Sequence, residues 1–452
     1  MARIIDSING IRGRTIRPGD PDYEAARQIF NGMIDRHPAL IVRVAGGDDV
    51  VRTIEYAREH DLPLSIRGGG HNVAGNALVE GGVVIDHSDL RTVTVDPASR
   101  TADASPGARW YDFDQATQAH GLAVTGGLVS DTGVAGFTLG GGIGWLVRRH
   151  GLACDNLIEA DVVTADGRRL TASAVEDADL LWALRGGGGN FGVVTRFRFQ
   201  VHPVERVTGG LLVYPRNQAV ELLRLWREFV ADAPPDLTTL VLLGTASDAQ
   251  KIVAIAFCHA GDPAAAERDL APLRAFSRPL IEQVAVMPYA VFQLALDKAR
   301  QARGAPRWNT RAYWKADFMK ALTDEAIEAL VEAGNRMEPG LSQVHLHHLG
   351  GAMRSEPPGG SAFPIRGAGF VYNLVAEWLD PAGDGVHAEW ARSAFERLRP
   401  YSRGGAYVNF LGDDGEARVR AAYGGNYERL AALKRRYDSE NVFRLNQNIR
   451  PA

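Results

Sequence analysis

At residues 67–75 the chain reads Arg67-Gly-Gly-Gly-His-Asn-Val-Ala-Gly75. Three consecutive glycines let the backbone approach a ligand with no Cβ in the way and turn successive N–H groups toward an anion. The loop follows the short apolar run Leu62-Pro-Leu-Ser-Ile66, opens on the guanidinium of Arg67 and carries the imidazole of His71. A glycine loop that ends in a histidine reads as a phosphate cradle with a nucleophile mounted beside it.

The rest of the chain is consistent with a large ligand site. At 452 residues it exceeds the usual single-domain size, so two or three domains are expected. Apolar residues make up 45% and charged residues 23%, an ordinary globular balance. A net charge of −4 gives no reason to expect nucleic acid or an anionic membrane as partner. Cys154 and Cys258 are too few for a disulfide framework and offer no zinc pair. Met1-Ala-Arg-Ile-Ile-Asp-Ser7 has no apolar leader segment, and no apolar run is long enough to span a bilayer. A cytoplasmic location is expected, with a homo-oligomer left open.

Outward from the loop, residues 1 to about 60 read as a small α/β unit. Pro38 to Val44 is β-rich, and Asp48 is placed as N-cap of a helix over 49–59. Strands are expected over 82–86, 92–95 and 101–104, then a helix from Trp110 to His120 that stops at Gly121. Ala160 to Leu170 reads as a hairpin turning at Asp166-Gly167. After Pro203 the texture changes. Helical segments over 217–231, 263–276 and 323–334 alternate with apolar strands over 239–243 and 252–257. This predicts a separate α+β domain, an antiparallel sheet covered by helices. A last helix is expected over 427–437.

Two more glycine tracts lie at 126–144 and 185–194. None of the three is a P-loop, because no Gly-Lys-Ser/Thr follows the glycines. Gly140-Gly-Gly-Ile-Gly144, with Asp161 downstream, imitates a dinucleotide fingerprint. That reading leaves His71 and Asn190-Phe191 unexplained.

Four stretches together carry a resemblance: R-G-G-G-H-N-V-A-G at 67–75, G-G-G-I-G-W-L-V-R-R-H-G-L-A-C-D-N-L at 140–157, R-G-G-G-G-N-F-G-V-V-T at 185–195 and Y-D-S-E-N-V-F-R-L-N-Q-N-I at 437–449. The sequence resembles the vanillyl-alcohol-oxidase-type flavoproteins, and within them the berberine-bridge-enzyme-like FAD-linked oxidases. The resemblance implies an α+β fold in which a two-lobed, PCMH-type FAD-binding domain (1–205) is joined to a substrate domain (206–395). A C-terminal segment (396–452) would return to the flavin site. It further implies FAD as cofactor, a small-molecule substrate and O2 as partners, and no metal.

Carried onto this chain, the first loop (Arg67, Gly68, Gly69, Gly70, His71, Asn72 and Gly75) wraps the FAD pyrophosphate. The second tract supplies Gly126, Ser130, Asp131, Gly133, Val134, Gly136, Gly140, Gly141 and Gly144. Gly192 and Val194 come from the third tract, and Tyr407, Asn409, Asn446 and Asn448 from the C-terminal segment. His71 stands where the family bonds covalently to the flavin C8-methyl carbon. The family's second attachment cysteine has no counterpart in Val129-Ser-Asp-Thr-Gly-Val-Ala-Gly136, so one covalent link is expected. Cys154 and Cys258 are then core residues.

Catalysis would be hydride transfer from an alcohol or amine carbon to flavin N5, with a base taking the O–H or N–H proton and O2 reduced to H2O2. The alternatives are a dehydrogenase of a 2-hydroxy acid or lactone with non-covalent FAD, and a non-redox binding protein that keeps the fold. Relatives often carry Tyr-x-Asn-Tyr near the C-terminus, whereas this chain has Tyr407-Val-Asn-Phe410. The usual tyrosine base is therefore unassigned. Tyr407, Tyr372 and His348 are taken as catalytic candidates, with Tyr313, His345 and His347 behind them. A tyrosine base needs a cationic neighbour at neutral pH, and Arg311, Lys315 and Arg366 are the candidates. At strand spacing His345 and His347 share one face and His348 takes the other.

Overall fold

The computed structural model describes residues 8–246, 249–306 and 308–452. The N-terminal stretch read above as lacking a leader lies outside the described residues. Strands β1 (Arg14–Ile16), β2 (Leu40–Arg43), β3 (Leu64–Arg67) and β4 (Val83–Asp86) form a sheet in the order β1-β2-β4-β3. Within it β2, β4 and β3 run parallel. Parallel strands need a crossover, and helix Gly47–Glu59 supplies it, burying Val50, Ile54 and Ala57 on the sheet. Gly46, not Asp48, is its N-cap. Asp48 points instead to Arg169, and the carboxylate of Asp49 turns back to accept the N–H groups of Arg12, Gly13 and Ala45 at 2.8–2.9 Å.

A second sheet holds β5 (Val93–Asp96) and β6 (Thr101–Ala104); the short β7 (Leu122–Ala123) lies apart from it. The sheet continues with β8 (Leu157–Val163), β9 (Arg169–Ser173) and β10 (Val193–Gln200), while β11 (His202–Pro203) pairs with β7. The order is β5-β6-β10-β8-β9, antiparallel throughout. Helices Trp110–Gln118, Ala178–Leu184 and Tyr427–Tyr437 join its core. The last helix is fixed by Lys434, whose fully buried ammonium donates to Asp438 Oδ2 (2.6 Å), Asn190 O (2.8 Å) and Phe443 O (2.9 Å). Three acceptors offset the desolvation of that charge and tie the C-terminal segment to the third glycine tract. Asp161 is bound to Arg196 Nε at 2.7 Å, and only the four-residue helix Val147–His150 follows Gly144. The dinucleotide reading therefore fails.

The third sheet has seven antiparallel strands: β12 (Arg206–Pro215), β13 (Leu237–Thr245), β14 (Lys251–His259), β15 (Ile281–Pro288), β16 (Arg311–Phe318), β17 (Gln343–His348) and β18 (Phe370–Trp378). Their order is β15-β12-β14-β13-β17-β18-β16. Helices Ala219–Ala231, Pro263–Arg274, Asp324–Asn335 and Asp384–Leu398 cover one face, packing on Val241, Leu243, Val344, Leu346, Tyr372, Leu374 and Ala376. Because side chains alternate across a strand, the neighbours of these residues point the other way, toward the glycine loops.

Candidate active site

β3 and β4 are parallel and in register, with Arg67 opposite Asp86. The glycine loop after Arg67 and the segment beginning at His87 therefore leave the sheet side by side at the carboxyl ends of the strands, where ligands of open α/β sheets bind. Gly70 takes φ +70°, a left-handed conformation that suits glycine. A Cβ on Gly69 would lie 2.4 Å from the Cα of Gly133, so the first and second glycine loops touch backbone to backbone.

These loops form one wall of a cavity of about 770 Å3. Gly68, Gly69, Gly70, His71 and Asn72 line it from the first loop. Ser130, Asp131, Gly133, Gly136 and Gly140 do so from the second tract, and Gly192 and Val194 from the third. Tyr407, Asn409 and Asn446 close it from the C-terminal segment. The other expected cofactor residues lie off its wall. Arg67 turns beneath the loop to Ala26 O and Asp86, and burial pulls its pKa down. Gly75 packs on Ile34, Gly126 on Trp110 and Gly144 on the Gly126 carbonyl, each because a close neighbour leaves no room for a Cβ. Gly141 lies against Phe363, and Val134 and Ile449, next to Asn448, belong to the core behind the loops.

His71 Nε2 lies 3.3 Å from Asp131 Oδ2, and Asp131 also holds Arg109. The ring of His71 stacks on Phe30 at 5.1 Å, with Trp308 at 5.8 Å. A carboxylate only accepts hydrogen bonds, so this contact favours the tautomer with the proton on Nε2 and the lone pair on Nδ1.

The opposite wall is the open face of the third sheet. It presents Leu242 from β13, Trp314 from β16, Gln343, His345 and His347 from β17, and Asn373, Val375 and Glu377 from β18. These are the alternate positions to the helix-covered ones, in matching register: His345 opposes Asn373 and Gln343 opposes Val375. Helix Ala295–Ala302 crosses one end. Asp297 accepts the Ser130 N–H at 3.0 Å, and Arg300 pairs with Glu377. Sequence reasoning missed Trp314, Asn373, Glu377 and Arg300. The polar residues at 373 and 377 in the otherwise apolar β18, an even spacing, were the available signal.

Of the three catalytic candidates, only Tyr407 reaches the cavity. Tyr372 points into the helix-covered core, its hydroxyl 3.1 Å from Ser402 Oγ, and burial pushes its phenol up. His348 lies on the same far face. Its Nε2 accepts from Arg148 at 2.8 Å, and its pKa falls well below the usual range through burial, then through Arg148 and Arg354. Both are set aside as catalytic groups, because one strand cannot turn adjacent residues to the same side. Tyr407 is also an unpromising base. Its oxygen accepts the N–H groups of Gly142 (2.9 Å) and Ile143 (3.0 Å) and Asn409 Nδ2 (2.9 Å). Burial still outweighs these donors and pushes its pKa up to about 12. The three candidate cations are held by carboxylates instead: Arg311 pairs with Asp384, Lys315 with Asp414 and Arg366 with Asp155.

The residues fit FAD. Asn446 Oδ1 and both ring nitrogens of the cavity-lining His87 are buried without partners. A Cβ built on Gly136 or Gly189 would meet nothing within 4 Å, so both glycines open onto the cavity. Among the described residues no group of three or more His, Cys, Asp or Glu could hold a metal ion, and no helix is long and apolar enough to cross a membrane. Cys154 and Cys258 are buried and unlinked.

Comparison with known proteins agrees with the geometry. Residues 38–173 match a family described as FAD binding domain, and residues 406–450 one described as berberine and berberine like. An FAD-linked oxidoreductase of Dictyostelium discoideum is 30% identical over 99% of this chain and 96% of its own. The (R)-6-hydroxynicotine oxidase of Paenarthrobacter nicotinovorans is 30% identical over 98% of this chain and 97% of its own. The crystal structure of 6-hydroxy-D-nicotine oxidase from Arthrobacter nicotinovorans superposes with a TM-score of 0.90, at 28% identity and over 100% of both chains.

Proposed function

Since this chain belongs to the berberine-bridge-enzyme-like FAD-linked oxidoreductases with a PCMH-type flavin domain, we propose that it is an oxidase that takes a hydride from an alcohol or amine carbon of a small molecule, holds FAD through one covalent bond to His71 and returns the electrons to O2. The observation that carries this reading is the single cavity shared by three glycine loops on one side and a polar sheet face on the other. FAD bound there supplies a hydride acceptor at N5 and a two-electron store that O2 can empty.

The protein's part is to hold, orient and tune. The Gly68–Asn72 loop offers backbone N–H groups to an anionic pyrophosphate. Asn446 Oδ1 and His87 are unpaired polar groups available to the cofactor. Asp131 orients the imidazole of His71, leaving Nδ1 as its nucleophilic atom. The two cysteines are withdrawn from that chemistry, because burial pushes both thiols up and keeps them protonated. The small residues Gly133, Ala135 and Gly136 on the cavity wall leave room for O2.

Acid precipitation tests the covalent link: yellow colour should stay in the pellet, and colour wholly in the supernatant rejects the bond. Reduction with dithionite under nitrogen followed by air tests the oxidase reading. Reoxidation within seconds is expected, and reoxidation over many minutes rejects it.

A further inference from the structure

The sheet wall holds an unusual set of unpaired groups. His347 Nε2, Asn373 Oδ1 and Glu377 Oε1 are all buried and have no hydrogen-bond partner. The three side chains line the cavity and are 5%, 1% and 2% exposed. Buried polar atoms are rarely left unpaired, so such a row on a ligand cavity marks contacts that the ligand completes. Two of these three atoms are acceptors only, and Trp314 Nε1 on the same wall is an unpaired donor, so the ligand must both donate and accept.

The surrounding charge narrows the class. Arg300 pairs with the other oxygen of Glu377, and Arg303, on the same wall, donates to Gly340 O. Two guanidinium groups thus act on the Glu377 carboxylate, while Asp297, the other carboxylate near Arg300, is engaged by the Ser130 N–H. An ammonium ligand would meet excess positive charge in a place of low dielectric. A carboxylate ligand would meet the bare Oε1 of Glu377 and Oδ1 of Asn373. A neutral ligand bearing hydroxyls, which both donate and accept, suits all of these groups. Asn373 and Glu377 are four residues apart on one strand, about 14 Å at roughly 3.4 Å per residue, so the ligand is elongated.

The wall also has direction. Glu377 lies at the end near His71, whose proximity acts on the carboxyl. His347 lies at the other end, its ring 5.7 Å from Phe410, which in turn packs 4.7 Å from Tyr407. Burial lowers the His347 imidazole to about 4, so the ring is uncharged at neutral pH, and its Nε2 has no partner to compete with a substrate hydroxyl.

Resting on the flavin reading above, we propose that the β17–β18 wall selects a neutral, elongated alcohol over an amine or an acid, with Asn373 and Glu377 accepting its hydroxyls and His347 taking the proton of the hydroxyl being oxidised. In that step the carbinol C–H hydrogen leaves with its electron pair to the flavin. The O–H proton passes to the imidazole, which becomes imidazolium, and the C–O bond becomes C=O.

The test uses the flavin-loaded protein and a matched trio on one rigid skeleton, 4-(4-hydroxyphenyl)benzyl alcohol, the corresponding benzylamine and the corresponding benzoic acid, with cellobiose as a second neutral probe. Binding is read anaerobically from the flavin difference spectrum, and reduction from its bleaching. At least one neutral probe should bind, and the benzyl alcohol should bind about tenfold or more tighter than its amine and acid partners. The Arg303→Met variant should narrow the alcohol-to-amine ratio about threefold or more. His347→Asn should leave binding within about threefold and slow bleaching about a hundredfold. Equal or tighter binding of the amine or acid, no binding of either neutral probe, or wild-type bleaching in His347→Asn overturns the proposal. Dithionite reduction and air reoxidation of the same samples report on the flavin independently. A colourless preparation fails the flavin reading itself, and a coloured one that prefers the amine fails only this inference.

Discussion

Tyr407→Phe separates two roles for a hydroxyl that sits at the site. The oxygen accepts three N–H groups: two from the backbone of Gly142 and Ile143, and one from Asn409. Removing it leaves the two backbone donors facing a ring edge in a fully buried place. Asn409 keeps its bond to Phe137 O at 2.9 Å and loses less. A buried donor left unpaired costs about 1–3 kcal/mol, so two of them, with some relaxation, amount to roughly 2–4 kcal/mol. The assay is urea unfolding of wild type and Tyr407→Phe at matched flavin content, followed by tryptophan fluorescence. A fall in midpoint equivalent to that range is expected, with bleaching by a competent substrate reduced far less than in His347→Asn. If the variant unfolds within about 0.5 kcal/mol of wild type while bleaching collapses, the hydroxyl is a chemical base and the structural account is refuted.

His71→Ala should bind FAD reversibly, giving a colourless acid pellet and an intact-mass spectrum without a flavin adduct. Gly69→Ala puts a methyl 2.4 Å from the Gly133 Cα; the forced separation of the two loops should cost about 1–3 kcal/mol and lower flavin content after purification, measured by absorbance. Asp114 is fully buried against Gln293, and burial raises its pKa to about 7. The folded state then keeps a proton that the unfolded chain loses above about pH 4, so stability falls as pH rises through that window. The span is about 4 kcal/mol at most. Asp114→Asn should flatten that part of the pH dependence of the urea midpoint between pH 5 and 8, and an unchanged slope rejects the assignment.

The glycine loops were legible because their chemistry is local. Consecutive glycines can be read as a backbone approach without knowing what they approach, and His71 stood out by its place at the end of one such loop. The periodicities were also local. The antiparallel domain after Pro203 followed from them, and so did the split of His345 and His347 from His348 across one strand. Even here the reading slipped where a contact distant in sequence intervened. Asp48 lost its capping place because Asp49 was drawn to Arg12 and Gly13, and Arg67 left the cofactor wall for Ala26 and Asp86.

The polar sheet wall of the cavity was not legible, because it depends on which strands lie next to one another. Nothing near Asn373 or Glu377 says that β17 is their neighbour, that helix Ala295–Ala302 brings Arg300 across the cavity, or that the open face meets the glycine loops. Tyr372 and His348 looked as eligible as Tyr407 and His347 until the helices chose a face. Sequence alone determined what each segment could offer: a backbone open to close approach, a histidine beside it, a half-buried sheet. Tertiary structure decided which offers met in one cavity. Burial, unpaired hydrogen-bonding atoms and shifted proton affinities belong to the packed assembly of segments, not to any of them alone.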